Sequence, residues 1–425
     1  MKPSKAVFVA LLPLFAQVSP AQFVDWKGGT GTNLWSNADN WNPAGSPNTN
    51  GVDARFNINS DVQINVDGSF VVRSYRTGFA ANGSNPANEH LLFGGTLTID
   101  PNSASEVLGI GNLTNNDRKL RINCDIIIDN TLAGETLVSN GNGAANILEF
   151  DSNCDLTLLT KLRTNTNVGS IIFNCNFSPS AENLFINSNN VSFGPDHSSV
   201  NFGRDIVLFS NSKLAVDGGI VLTDFRKFQI NGSGAELELN AADAVNNANI
   251  IIGGTNSLEL DVNADQGTMG LINVNDGTLT IDIDPAVTNL VFKDSSSQAW
   301  GSGSITITGF KENTIRFGTD DTGLTAGQLA AIDGGAYSLT SSGFLTAGTP
   351  LLPSLKIALD PFPTITFLSN PGQTYQLQKS GDGALGAWAD VVGQSVVGDG
   401  TEKTLSDPAG GPPGETRAFY RVETN

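Results

Sequence analysis

Short runs with an apolar side chain at every second position recur along most of this chain. Gly95-Thr96-Leu97-Thr98-Ile99-Asp100 returns letter for letter as Gly277-Thr278-Leu279-Thr280-Ile281-Asp282, and Gly303-Ser304-Ile305-Thr306-Ile307-Thr308 is a close variant. Looser versions occupy Leu120 to Asp129, Ile147 to Leu159, Ser170 to Phe177, Leu214 to Asp217, Glu236 to Asn240 and Ser257 to Val262. A period of two is that of a β-strand with one buried face. Asn, Asp, Gly and Ser bound most of the runs, and Gly and Asn tolerate the positive φ that tight corners need. The series predicts an all-β fold, a right-handed parallel β-helix in which each turn stacks on the last. With turns of on the order of 20–30 residues, the body between residues 60 and 310 would hold about ten. At ~4.8 Å per turn it would be a rod of roughly 50 Å. Ile206-Val207-Leu208-Phe209 does not alternate. Such a run suits a strand covered on both faces, or a tight corner.

The ends differ from this body. In residues 1–21, Lys2 and Lys5 precede a mostly apolar stretch, Ala6 to Val18, followed by Ser19 and Ala21. The stretch is shorter than the ~20 residues of a membrane-spanning helix, and the pattern is that of a cleaved signal peptide. Residues 22–60 hold three of the five tryptophans, Trp26, Trp35 and Trp41. Exposed, they could stack on sugar rings as a binding platform. Buried, they would plug the open end of the solenoid, and the need of repeat arrays for an atypical end unit favours this cap. The solenoid with its closing segment is assigned to residues 61–352. Leu324 to Ile332 predicts a single short helix with Thr325 as N-cap. Pro350, Pro353, Pro361 and Pro363 punctuate a linker. Residues 353–425 predict a small antiparallel β-sandwich, with strands at Thr364–Phe367, Tyr375–Gln378, Trp388–Val391 and Phe419–Val422.

Trp26-Lys27-Gly28-Gly29 to Asn40-Trp41 with Ala54-Arg55-Phe56 resembles bacterial autotransporter-associated β-strand repeat proteins. So does the closing pattern of Ser295 to Trp300, Ile315-Arg316-Phe317-Gly318, and Gly323-Leu324-Thr325 to Gln328-Leu329. The unit from Tyr375 to Val422 is similar to tail domains of such exported proteins. The resemblance implies a secreted or cell-surface β-helical passenger, usually without assigned enzymatic activity. The family's β-barrel translocator and a hydrophobic sorting tail are not recognised in this sequence.

Charge narrows the partners. The 425 residues carry 23 basic and 42 acidic side chains, a formal net charge of −19. An acidic surface repels phosphate backbones and anionic lipid. Nucleic acid and direct membrane insertion after signal cleavage are therefore not expected, and a polysaccharide or a surface protein is the expected partner. Cys124, Cys154 and Cys175 sit in matching frames, each sharing the parity of its apolar neighbours, at intervals of 30 and 21 residues. They read as an internal column of small side chains. A pair could also form a disulfide, since adjacent strands lie ~4.8 Å apart and Cα separations of ~4.4–6.8 Å permit the bond.

His90 and His197 read as surface loop histidines; adjacency of Asp196, His197 and Ser198 is not triad geometry. Asp282 and Asp284 share a strand face near Asp276, Asp261 alternates with Asn263 and Asp265, and Asp320 adjoins Asp321. Paired carboxylates are what a glycoside hydrolase needs, and clustered ones with a base what a cation-assisted lyase needs. Arg226 and Lys227 read as isolated. Asp261 to Asp265 begins like a calcium loop, but Gln266 stands where Gly is required and no Glu closes it. The pairs Thr96/Thr98, Thr278/Thr280 and Thr306/Thr308 point outward and read as too scattered for adjacent rungs. No catalytic, cofactor-binding or metal-binding residue is assigned. The expectation is an exported structural or adhesive protein, secreted or on the outer cell surface, without catalysis. The alternatives are a carbohydrate-active β-helix enzyme, with Asp282 and Asp284 as first candidates, and a carbohydrate-binding protein that uses Trp26, Trp35 or Trp41.

Overall fold

In a computed structural model, residues 22–424 are described except 29–31, 57, 59, 78–87, 102–105, 111–117, 131–134, 140–144, 166–168, 179–181, 195–199, 202–203, 218–221, 224–225, 246, 336, 348–355, 359–361, 370–372, 381–387, 399–400 and 410–418. The chain is nearly all β, a parallel β-solenoid followed by small antiparallel sheets. The expected signal peptide, the prolines 350, 353 and 361, and His197 lie outside the described residues.

The solenoid follows from the alternation. Strand Arg118–Ile128 alternates buried and partly exposed side chains over its whole length. Pairing in register then sets each inward residue directly on one from the turn before. One column reads Val62, His90, Leu120, Leu148, Ile171, Val191, Leu214, Leu237, Leu260, Ile281 and Ile307. Spacings along it are 20 to 30 residues, as the sequence predicts. A second column reads Val24, Ala54 and Tyr75, and further along Val138, Thr164, Ile186, Leu208, Ile230 and Ile252. Between these faces Phe70, Leu97, Ile126, Leu156 and Phe177 align in a third. The interior is one continuous apolar cluster running from Val24 to Leu345. Phe150, Phe173 and Phe193 occupy successive rungs, with ring centroids 5.1 and 5.9 Å apart.

The first copy of the repeated motif sits at a corner. Strand Asn88–Ile99 continues from one face to the next, and its register shifts against both neighbours between Gly94 and Thr96 and between Val66 and Ser69. Gly94 has a φ of +104°, and a Cβ there would lie 2.5 Å from Asn65 Oδ1. Only glycine fits this bend.

The end segments close the rod as the cap reading requires. Trp26, Trp35 and Trp41 are 4%, 0% and 0% exposed. Trp41 packs edge-on against Trp26, Trp35 and Phe56, and Trp26 and Trp35 lie tilted against Phe56, with centroids 4.9 to 6.1 Å apart. The Trp41 indole donates to Trp35 O at 2.9 Å and the Trp35 indole to Pro47 O at 3.0 Å. The sugar-platform reading of these tryptophans is thereby overturned, because no ring face is open to a ligand. At the other end the helix Ala326–Ala330 carries the expected N-cap: Thr325 Oγ1 accepts from Gln328 N and Gln328 Oε1 accepts from Thr325 N. The Gln328 amide also donates to Ser295 O and Gln298 O, tying the helix to the last turns. Ile206–Leu208 is buried on every residue, as its unbroken apolar run predicts.

His90 departs from expectation. It is 1% exposed and occupies an inward position of the first column. Parity with Leu92 drives it inward, a stronger constraint than the polar Asn88 and Glu89 before it. Its Nδ1 lies 2.8 Å from Thr77 Oγ1, which the buried Arg118 guanidinium approaches at 3.5 Å.

The C-terminal residues form two three-stranded antiparallel sheets, one of Lys356–Ala358, Thr364–Leu368 and Glu402–Ser406, the other of Thr374–Ser380, Ala389–Val397 and Phe419–Thr424. They share a separate core of Ile365, Phe367, Tyr375, Leu377, Val391 and Leu405.

Truncating one member of a fully buried column leaves a cavity between two intact rungs. Leu237→Ala is expected to cost roughly 2–5 kcal/mol, read as a lower denaturation midpoint. Thr280→Ala on the outer face should stay within about 0.5 kcal/mol of wild type.

Candidate functional site

In-register stacking also aligns the outward side chains. On the face formed by Lys213–Val216, Ala235–Leu239, Ser257–Val262, Thr278–Ile283 and Ser304–Thr308, one outward row reads Lys213, Glu236, Glu259, Thr280, Thr306. The next reads Ala215, Glu238, Asp261, Asp282, Thr308. Carboxylate oxygens of Glu236, Glu238 and Asp261 come within 4.8 Å of one another. Lys213 Nζ reaches Glu236 at 2.5 Å and Glu238 at 2.6 Å. Burial pulls Lys213 down, but its bonds to the two glutamates outweigh this and hold it above its ordinary range. Burial, and then the Glu259 and Glu236 carboxylates, push Asp261 up to about 6. These three carboxylates are the group that could hold a hard cation; Lys213 supplies positive charge to two of them.

The acids singled out in the sequence are placed differently. Asp282 remains on the strand face and accepts from Thr308 Oγ1 at 2.6 Å. Asp284 accepts from Ala286 N at 2.7 Å and shapes its own turn. Asp276, at a φ of +62°, accepts from Ser302 N and Oγ, and these bonds lower its pKa. Asp265 is held low first by Thr288 N and accepts from Asn289 N as well. Asn263 donates to Asn240, which donates to Asp217, each at 2.7 Å. Asp261, Asn263 and Asp265 therefore serve three different neighbours and make no calcium loop. Gln266 is fully buried and donates to Ala241 O and Ala264 O. Asp320 accepts from Thr322 Oγ1 and N and is lowered by both. Lys227 is not isolated: its Nζ lies 3.6 Å from Asp205. The threonine reading also changes, since Thr280 and Thr306 stand on adjacent rungs. Thr96 and Thr98 belong to a distant turn.

Cys124, Cys154 and Cys175 are buried free thiols, stacked as the matching frames predict. Burial, then the Asp125 charge, pushes Cys124 up to about 12. The bond to Cys175, then burial, raises Cys154 well above its usual range.

Sequence reading missed a second polar cluster near the capped end. Arg121 lies 3.5 Å from Glu89, 3.5 Å from Glu149 and 3.6 Å from Asp151. Lys119 Nζ is 2.6 Å from Glu149. Burial would raise Glu149, but Lys119 and Arg121 keep it below its ordinary value. Beside this network is a cavity of about 580 Å³ lined by Asp61, Gln63, Glu89, Leu91 and Arg121, among others. Its volume is within the ~300–1,000 Å³ of small-molecule sites. The signal for both clusters lay at the period of one turn: Glu236-x-Glu238, Glu259-x-Asp261 and Thr280-x-Asp282 follow one another at 23 and 21 residues, and Glu89, Lys119-x-Arg121 and Glu149-x-Asp151 at 30 and 30.

No known protein family, curated protein or solved structure matches this chain.

Two buried or crowded groups titrate in the same window with opposite signs. Burial, then Arg118, lowers His90 to about 4 from an ordinary 6.5. The unfolded chain binds the extra proton, so His90 costs stability as pH falls from 6.5 to 4, by about 3 kcal/mol in full. Asp261 is raised above 3.8, so its contribution is lost as pH rises from 3.8 to 6. His90→Leu is expected to flatten the acid-side loss, and Asp261→Asn to raise the unfolding midpoint above pH 6 with no gain below pH 4. Midpoints across pH 4–8 check both.

Proposed function

We propose that this chain is an exported structural or adhesive β-solenoid of the cell surface or extracellular matrix, which presents its long outer faces to a polymer without turning it over. A parallel β-solenoid is compatible with a structural or surface protein. The observation that carries the reading is the outer face itself. Its rows of hydroxyls, amides and carboxylates are bonded mainly to one another: Lys213 to Glu236 and Glu238, Asn263 to Asn240 to Asp217, Thr308 to Asp282. Such a surface repeats along one axis at ~4.8 Å, a geometry suited to an extended chain. The apolar segment at Ala6–Val18 and the resemblance of both ends to autotransporter-associated β-strand repeat proteins support export and a surface location.

A carbohydrate-active enzyme is the second reading, favoured by one observation: the cavity beside Arg121 combines a guanidinium with Asp61 and Glu89. Against it, Asp61 accepts from Glu89 N at 2.8 Å and Arg121 is shared among three carboxylates.

A pulldown of the mature chain on a polysaccharide panel, with a product assay on every hit, separates the readings. Capture without new reducing ends or unsaturated products is expected. Turnover that disappears in Glu89→Gln would replace the adhesive reading by the enzymatic one.

A further inference from the structure

A smaller groove lies near the closing end of the solenoid, away from both clusters described above. Its volume is about 280 Å³, and its lining includes Met269, Val291, Lys293, Asp294, Arg316 and Asp320. Strand Leu290–Phe292 is buried on all three residues. Val291 has outward parity, between the inward Leu290 and Phe292, and is nevertheless only 9% exposed. Its register partner is Arg316. The groove thus has an apolar floor, Val291 and Met269, under a cationic wall.

The cations of that wall have no counter-charge from the fold among the described residues. The chain has 42 acidic side chains against 23 basic ones, so a basic group is expected to find a carboxylate. Among the described residues, Lys119, Arg121, Lys213 and Lys227 do, while the exposed Lys27, Lys161, Arg226 and Lys311 show no such pair. Arg316 and Lys293 do not: neither has a carboxylate within ion-pair distance among the described residues. Arg316 Nε is buried without a hydrogen-bond acceptor. Its guanidinium lies 5.7 Å from the Phe344 ring centroid, which positions the group without neutralising it. An unmet buried donor on a charged group is costly unless something accepts from it. The two acids of the lining do not fill this role. Asp294 Oδ1 accepts from Ser296 N and Oγ, and Asp320 Oδ1 accepts from Thr322 N and Oγ1. Each closes its own turn with one oxygen.

These features define a complementary ligand. It carries a carboxylate for Arg316 and Lys293, hydroxyls for the remaining carboxylate oxygens of Asp294 and Asp320, and an apolar face for Val291. We infer that this groove binds a uronosyl residue of an acidic polysaccharide, with Arg316 and Lys293 holding its carboxylate. The inference rests on the reading of the solenoid as a polymer-binding protein and names the polymer's chemistry. The groove, slightly below the ~300 Å³ of the smallest common ligand sites, has room for one sugar ring of a longer chain.

Calorimetric titration of the full chain with trigalacturonate, with galactotriose as the neutral comparison, tests it. Trigalacturonate is expected to bind at least about tenfold more tightly than the neutral trimer, and more weakly as salt is raised. Arg316→Gln and Lys293→Gln are each expected to weaken binding about tenfold. Lys293 is exposed, so Lys293→Gln should keep the wild-type unfolding midpoint and remain informative if Arg316→Gln misfolds. Undiminished binding by Lys293→Gln and by folded Arg316→Gln overturns the site. Equal affinity for the neutral trimer overturns the assignment to a carboxylate. No binding of trigalacturonate overturns the inference, and the polysaccharide panel then decides separately on the broader function. Polymer captured equally by wild type and both variants would keep the adhesive reading and move its contact to another face.

Discussion

In-register parallel pairing is the constraint on which the rest of this structure depends. A backbone amide buried in a solenoid has no water to bond, so each turn must satisfy the turn beneath it. Once it does so in register, every side chain stands above its counterpart at ~4.8 Å. Inside, this makes a column such as Leu148 to Ile307, in which each aliphatic residue packs on another. A slip of one residue would turn the whole column out to solvent. Corners are where the rule bends, and there the chain uses Gly94 and the register shift beside it.

The same spacing rules the outside. Like charges on adjacent rungs would repel, and the chain meets this with cations placed among the acids. Lys213 sits one rung from Glu236 and bonds Glu238 as well, while Glu259 and Asp261 lie a rung further and Asp261 is pushed up. Lys119 and Arg121 do the same for Glu149. Arg316, its Nε buried without an acceptor, and the neighbouring Lys293 are not neutralised in this way among the described residues.

Much of the fold could be read from single strands. Alternation in Gly95–Asp100 and its copies gave the strands, the matching frames gave the cysteine stack, and Thr325 with Gln328 gave the helix cap. The tryptophans of residues 22–60 read correctly as a plug, because an open solenoid end exposes apolar edges that must be covered. What could not be read was anything that depends on how strands are paired. Asp261 was grouped with Asn263 and Asp265, its neighbours in sequence, whereas its electrostatic neighbours are Glu236, Glu238 and Glu259 from the same and preceding rungs. Thr280 and Thr306 were judged scattered because their separation in sequence hides a shared rung. The polar neighbours of His90 suggest a loop, but its parity with Leu92 points inward, and parity prevails. For the acids and the threonines the missing information was the turn length, which sets the partner and is visible only when two rungs are aligned.

Register is therefore the quantity to measure. Thr280→Cys with Thr306→Cys places two thiols on adjacent rungs of the outer face, within the ~4.4–6.8 Å Cα range of a disulfide. Thr278→Cys with Thr308→Cys displaces them by several residues along the same strands. Mild oxidation of the folded protein should close an intramolecular disulfide rapidly in the first pair and not in the second, seen as the mass of the linked tryptic peptides. Linkage of the second pair in preference to the first would contradict the stacking on which both the core and the surface rows depend.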